Sequence, residues 1–394
     1  MLMSTKIDNK KPLDGYKVVD FSAVFAGPIC SRFLLDCGAE VIKVETPKVG
    51  DLTRGIGGIT PVFAHFNAGK RSIAVDLKNP SGQELVRELI IDADIVIENF
   101  RPGIMSKFGL DYESLKPQKP DLIYCSISGF GQSGPHVGRA AFAPIVHAAS
   151  GFDSAHTHAQ PDDEFHPPTW DIMVADILTG TYAFGSIQTA LIGRQRNGIG
   201  EHIDVSMMES MMSLIPAHIQ AAQMDEPAVI GQFHPVKVKD GFVMLCVVSD
   251  KNLQSLSVAL NRPELLTDPR FVRGPRAENF KLLATEVEHW SATLSARECE
   301  AALNLAGVPC SIYTQVEDLF SHPQVLERKS FTSVSNERLG NFLIQNIPAK
   351  FAHFDNSASN WVANLGEHTD EILAQSLKLE ASEIKKLRAR GVVS

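Results

Sequence analysis

The 394-residue sequence has little cysteine, no long apolar run and no excess of positive charge. Its six cysteines, at positions 30, 37, 125, 246, 299 and 310, form no CxxC pair and are too sparse for a disulfide scaffold. A reducing compartment is the simplest reading, and the expected localisation is cytoplasmic. The longest uninterrupted apolar run, Phe242 to Val248, is much too short to span a bilayer, so no membrane partner is expected. The opening MLMSTKIDNKKPLDG has no apolar core of signal-peptide length. Lys and Arg total 37 against 46 Asp and Glu, a formal net charge of −9. So acidic a chain is a poor binder of nucleic acid through its net field, although a local basic pocket can still hold a small anion. HExxH and paired Cys ligands are absent. His156, His158 and His166 lie near Asp162, Asp163 and Glu164, but their spacing fits no standard zinc pattern, and no metal is expected.

Apolar residues make up 44% and charged residues 21%, an ordinary globular composition. At roughly 100–200 residues per domain, the length suggests two or three units. The first third alternates strand and helix signals. Tyr16–Phe21 reads as a strand, Gly27-Pro28 breaks it, Ile29–Asp36 reads as a helix, and Glu40–Val44 is the next strand. Ser72–Leu77, Asp94–Glu98 and Leu122–Ile127 are further strands, with a helix over Ser81–Ala93. That alternation favours a parallel, doubly wound sheet. Asp171–Arg194 reads as one long helix, Glu201–Val205 as a strand and Met207–Ala217 as helical. The composition changes near Asp225, and residues 225–325 read as a second domain. Pro309–Tyr313 is expected to return toward the first domain as a strand. Residues 1–224 and 326–394 then form the large domain, closed by helices over Thr369–Ser376 and Ser382–Arg390.

Four stretches could carry chemistry. The first strand–helix turn, Phe21 to Pro28, lacks GxGxxG, which disfavours a dinucleotide enzyme, yet a helix start can still receive an anion. Lys70-Arg71, and Asn99-Phe100-Arg101 with Lys107 beyond, place cations beside strands, where a phosphorylated ligand or plain solvent would suit them. Ser128 to Pro135 packs Gly129, Gly131 and Gly134 into eight residues, so backbone N–H groups there can approach a ligand or an oxyanion; a surface connection is the competing reading. Asp176 stands among apolar and small residues, a costly place for a carboxylate without a partner. Asp171 is its rival, and periodicity does not choose between them.

These pieces stand in an order that resembles the class III CoA-transferases, the family of formyl-CoA transferase, carnitine CoA-transferase and the α-methylacyl-CoA racemases. The matching stretches are VVDFSAVFAGP (18–28), GAEVIKVE (38–45), FNAGKRSIAVDLK (66–78), ADIVIENFRPG (93–103), SGFGQSGP (128–135), DILTGTYAFGSIQTALIGRQRNGIGEHIDVSM (176–207) and LGEHTDEIL (365–373). The resemblance implies an α/β fold with a Rossmann-like large domain, a smaller inserted α/β domain, and two subunits interlocked as a homodimer. It places the catalytic carboxylate on Asp176 and CoA contacts on Ala26, Val75, Asn99, Phe100 and Lys107. Lys43, Arg71 and Arg101 are added as phosphate partners. Gly129, Gly131 and Gly134 become the oxyanion loop, and Phe25, Phe142 and His147 the substrate pocket.

The racemases carry an acid/base His where this sequence has Phe142, and phenylalanine moves no proton. Ala23 and Phe25 replace a His and a Gln of formyl-CoA transferase, Ala143 and His147 replace a frequent acid and Gln, and a glycine-run loop is missing. These changes argue against formate or oxalate. The expected activity is transfer of CoA from an acyl-CoA, with succinyl-CoA the donor guess, to a carboxylic acid. CoA is a substrate and no other cofactor is needed. His234, Lys237, Lys239 and Arg273 are candidates for the acceptor carboxylate.

Overall fold

The structure, a computed structural model, describes residues 10–55, 58–157, 166–225 and 233–394. Six strands form one parallel sheet: β1 (Lys17–Asp20), β2 (Glu40–Glu45), β3 (Arg71–Ala74), β4 (Ile95–Glu98), β5 (Ile123–Ser128) and β6 (Glu201–Ser206), in the order β3-β2-β1-β4-β5-β6. Val18 of β1 stands between Val41 of β2 and Ile95 of β4. The strands are short apolar runs because both faces of the sheet are covered. Val18, Ile95, Ile97, Ile123 and Cys125 face one side, where Leu34 of helix α1 (Ala26–Asp36) and Ile187 and Leu191 of a long helix beyond it bury them. Val19, Val44, Ile73 and Val96 face the other, against Leu85 and Leu89 of α2 (Pro80–Ile91). Ile372 and Ile384, from the closing helices Thr369–Ser376 and Ala381–Ala389, complete that side.

Two further helices matter for the site: α3 (Ala143–Ala149) and the long α4 (Val174–Asn197). Asp171 stays outside α4. Gly198, at φ 72°, stops the helix with its N–H on the Arg194 carbonyl, a left-handed cap that glycine adopts without strain.

The chain divides into two compact units. One runs to Thr157, resumes up to Leu214, and takes Arg328–Ser394; the other holds Ile215–Glu327. In the second unit β7 (Pro235–Val238), β8 (Gly241–Leu245) and β9 (Cys310–Ile312) form an antiparallel sheet under the helices Asp250–Leu260, Phe280–Ser291 and Ala296–Leu305. The strand expected to return to the first domain is therefore a correction: Leu245 pairs with Cys310, inside the second unit. A hairpin of β10 (Phe331–Asn336) and β11 (Gly340–Gln345) in the first unit had no expected counterpart. The helix expected over Met207–Ala217 ends at Met212, before Pro216 opens another. Among the described residues no helix is long and apolar enough to cross a membrane.

Candidate active site

In open parallel sheets, ligands settle outside the carboxyl ends of the strands where the strand order reverses. Here the reversal lies between β1 and β4. Asn99, just past β4, clasps the turn after β1: its Oδ1 accepts from the Ala23 N–H (2.9 Å) and its Nδ2 donates to the Ala23 carbonyl (2.8 Å). Beside this clasp opens a cavity of about 290 Å³. Its wall comes from the β1 turn (Ala23, Val24, Ala26), the β4 loop (Asn99 to Pro102), the β5 loop (Ser128, Gly129, Val137 and Arg139 to Phe142), Met207 and Asp176.

Asp176 stands in the first turn of α4, where the helix dipole favours a negative charge. Burial nevertheless raises its carboxyl from 3.8 to about 6, although the Ala26 N–H of α1 supports the charged form. That contact depends on Gly180. A Cβ there would lie 2.4 Å from the Ala26 carbonyl oxygen and 2.3 Å from Ile29 Cγ2. Glycine therefore lets α4 approach α1 closely enough for the Ala26 amide to meet the carboxylate.

The turn that carries Ala26 has its own support. Val24 has φ 71°, a strained value for a β-branched residue, and its N–H lies 3.2 Å from both Asp51 oxygens. Asp51 is ion-paired with Lys43 at 3.0 Å, and Lys43 Nζ also donates to the Ser22 carbonyl at 2.7 Å. Below it Asp20 accepts from Ser31 Oγ (2.6 Å), from Ser22 Oγ and from Lys70 Nζ (3.0 Å). Burial alone would raise Asp20; Lys70 and Lys43 instead bring it down to about 2. Burial pulls Lys70 down to about 8 against the attraction of Asp20.

The model of CoA-transferase family III matches residues 13–369. The chain belongs to that family. A succinate–glutarate CoA-transferase of Agrobacterium fabrum is 34% identical, with 96% of this chain and 99% of the relative covered. A succinyl-CoA–D-citramalate CoA-transferase of Chloroflexus aurantiacus is 32% identical, with 97% and 98% covered. The crystal structure of a CAIB/BAIF family protein from Brucella suis matches with a TM-score of 0.77 at 34% identity, covering 93% of this chain and 100% of that one. The chain is thus an enzyme of the CoA-transferase class.

In this transferase the structure brings together Asp176, Ala26, Asn99, Phe100, Arg101, Gly129 and Phe142 around one cavity. Asp171 is exposed and does not line it. Other expected residues lie elsewhere. Lys43 is buried, with its ammonium held by Asp51 and the Ser22 carbonyl; it is a support of the β1 turn rather than a phosphate partner. Arg71 opens β3, at the amino edge of the sheet, and pairs with Glu40 and Glu371. The larger hollows there, of about 580 and 500 Å³, lie at the amino ends of the strands, away from the end where ligands settle in such sheets. Val75 is buried in a bridge to Val393, and Lys107 is exposed; neither lines the cavity.

Of the loop glycines, only Gly129 faces the cavity. The Gly131 N–H is engaged by Ser128 Oγ at 2.9 Å, which removes it from an oxyanion site, and Gly134 is exposed. Phe25 packs on Phe66 with ring centres 4.9 Å apart, outside the cavity. His147 is another correction. It is fully buried, and its Nε2 accepts from the Ala175 N–H at 3.1 Å, so it caps the start of α4 instead of touching substrate. Trp170 packs edge-on against it, 5.1 Å away. His158, Asp162, Asp163 and Glu164 lie outside the described residues. His234, Lys237, Lys239 and Arg273 belong to the second unit. Arg139, Val137 and Met207 line the cavity without having been expected. Only Arg139 carried a readable signal, a cation close behind the glycine loop.

Proposed function

We propose that this transferase moves CoA from a dicarboxylyl-CoA donor to a carboxylic acid through a thioester on Asp176. The observation that carries the reading is a desolvated carboxylate, lifted to about 6, in the wall of the cavity at the sheet's reversal point. At neutral pH it is ionised, yet poorly solvated, which suits a nucleophile. The names of the two relatives support the substrate class, because succinate, glutarate and citramalate all carry two carboxylates.

In the first step an Asp176 oxygen attacks the thioester carbonyl; the C–S bond breaks, giving a mixed anhydride and CoA thiolate. The thiolate attacks the aspartyl carbonyl, releasing the donor acid and leaving aspartyl-CoA. The acceptor carboxylate attacks that thioester, giving a new anhydride and thiolate. Attack of the thiolate on the acceptor acyl carbon forms the new acyl-CoA and restores Asp176. No net proton is consumed, and no electron changes hands. Asn99, Phe100 and Arg101 are the proposed CoA contacts, and Gly129 the proposed backbone element nearest the developing oxyanions.

A racemase would need an acid/base partner for Asp176 within the cavity. Phe142 lines the wall there, 65% exposed, and cannot serve. We also propose the interlocked homodimer; a folded monomer on dilution, by light scattering and circular dichroism, would count against it. The test of the mechanism is an incubation with acyl-CoA donor and no acceptor. The Asp176 peptide should gain the mass of CoA, hydroxylamine should convert it to a hydroxamate, and Asp176→Ala should abolish both adduct and transfer. A label on Asp171, or CoA release only when donor and acceptor are both present, would refute it.

A further inference from the structure

Three charged side chains line the cavity: Asp176, Arg101 and Arg139; all its other lining residues are neutral. Cations elsewhere around the β1 turn already have carboxylate partners, Lys43 with Asp51, Arg54 with Glu45 and Lys70 with Asp20. Among the described residues Arg101 and Arg139 have no such partner. Arg101 adjoins Asn99 and Phe100, on the side assigned to CoA. Arg139 belongs to the loop between β5 and α3.

Arg139 is exposed on that loop. A Cβ on Gly129 would lie 2.2 Å from Ala141 Cβ, so the start and end of the loop touch beside the end of β5. The Arg139 N–H donates to the His136 carbonyl at 2.9 Å. Its guanidinium lies over the Phe130 ring, 5.2 Å from the centroid. A cation over a ring face keeps N–H donors available, and a guanidinium can present them to a carboxylate as a fork. The cavity thus offers the Asp176 carboxylate as a nucleophile for a thioester carbonyl and, from the loop after β5, a cation with no carboxylate partner. A monocarboxylyl chain offers that cation a methyl group; a dicarboxylyl chain offers it an anion.

We infer that Arg139 binds the carboxylate at the far end of the acyl chain and so selects dicarboxylic substrates. The inference rests on the proposed transferase reaction. It is tested with donors and acceptors matched in length: succinyl-CoA against butyryl-CoA, and glutarate against valerate. Each is assayed with the full-length wild type, Arg139→Gln and Arg139→Lys, and the Asp176 adduct is followed by mass spectrometry. Wild type should prefer the dicarboxylyl member of each pair. Arg139→Gln should lower that preference roughly 10²-fold, through loss of dicarboxylate kcat/KM, and leave the monocarboxylate values within about threefold. Arg139→Lys should recover part of it, because the charge returns without the fork. Equal losses for both members would place Arg139 on CoA itself or in a structural role and overturn the inference. So would a wild type indifferent to the second carboxylate. A wild type that forms no adduct with any donor would mark failure of the Asp176 mechanism, and the inference would fall with it.

Discussion

Gly180→Ala isolates the contact that joins α4 to the β1 turn. The added Cβ would sit 2.4 Å from the Ala26 oxygen and 2.3 Å from Ile29 Cγ2, whereas carbon atoms pack favourably at about 3.5–4.0 Å. The helices must separate by about 1 Å. Overpacking of this kind costs about 1–3 kcal/mol. Alanine in a helix interior returns about 1 kcal/mol relative to glycine. The net loss of stability is therefore small, about 0–2 kcal/mol. Catalysis has no such offset. A displacement of about 1 Å between the Ala26 amide and Asp176 should lower kcat roughly 10²-fold. Loss of the amide should also push the Asp176 carboxyl above its present value of about 6, since that N–H supports the charged form. The assay pairs urea unfolding with a pH–rate profile of adduct formation. Gly185→Ala, in the same helix but with nothing within 4 Å of its added Cβ, should keep activity and gain up to about 1 kcal/mol. Native kcat and an unmoved pH midpoint in Gly180→Ala would refute the argument.

Asp176→Asn should be inactive yet more stable. Its carboxyl rises from 3.8 unfolded to about 6 folded, so the ionised form opposes folding by up to about 3 kcal/mol above pH 6. The gain should fade between pH 6 and pH 4 as the wild-type carboxyl protonates in the fold; an equal gain at every pH would contradict this origin. The transfer rate of wild type should rise as the pH passes through about 6, and a profile flat from pH 5 to 8 would argue against an ionised Asp176. His147→Leu should lose about 1–3 kcal/mol, because the Ala175 N–H is left buried without an acceptor, whereas His147→Gln should restore most of the stability and kcat. Burial holds the His147 pKa below its ordinary value, with Asp153 opposing, so the stability tied to its neutral ring should be lost as pH falls below about 6.5. A Leu variant as stable as the Gln variant would refute the cap.

The alternation of strand and helix between Tyr16 and Ser206 is local information. Runs such as Val41 to Val44, helix starts such as Asn79-Pro80 and stops such as Gly198 depend on neighbouring residues, so the parallel sheet and the long helix were legible. The residues about Asp176 were legible in kind: a carboxylate among small and apolar side chains needs a reason, and the resemblance supplied one. What the sequence alone could not decide was direction and partner. Lys43 in EVIKVE reads alike whether its ammonium meets a phosphate or, as here, Asp51 from a loop beyond the strand. Arg71 stands beside a strand in either reading; only the direction of β3 places it at the edge away from the cavity. Phe142 lies just before α3 in extended backbone and lines the cavity, whereas His147 lies within the helix and is buried against the start of α4; the sequence shows neither placement. Periodicity left Asp176 and Asp171 open and only the resemblance chose Asp176; in the fold α4 begins at Val174 and packs on α1 through Gly180, which puts Asp176 in the cavity wall and leaves Asp171 exposed. Local pattern sets which elements form; the contacts between elements distant in the chain decide which side chains share a cavity, and those contacts exist only in the folded molecule.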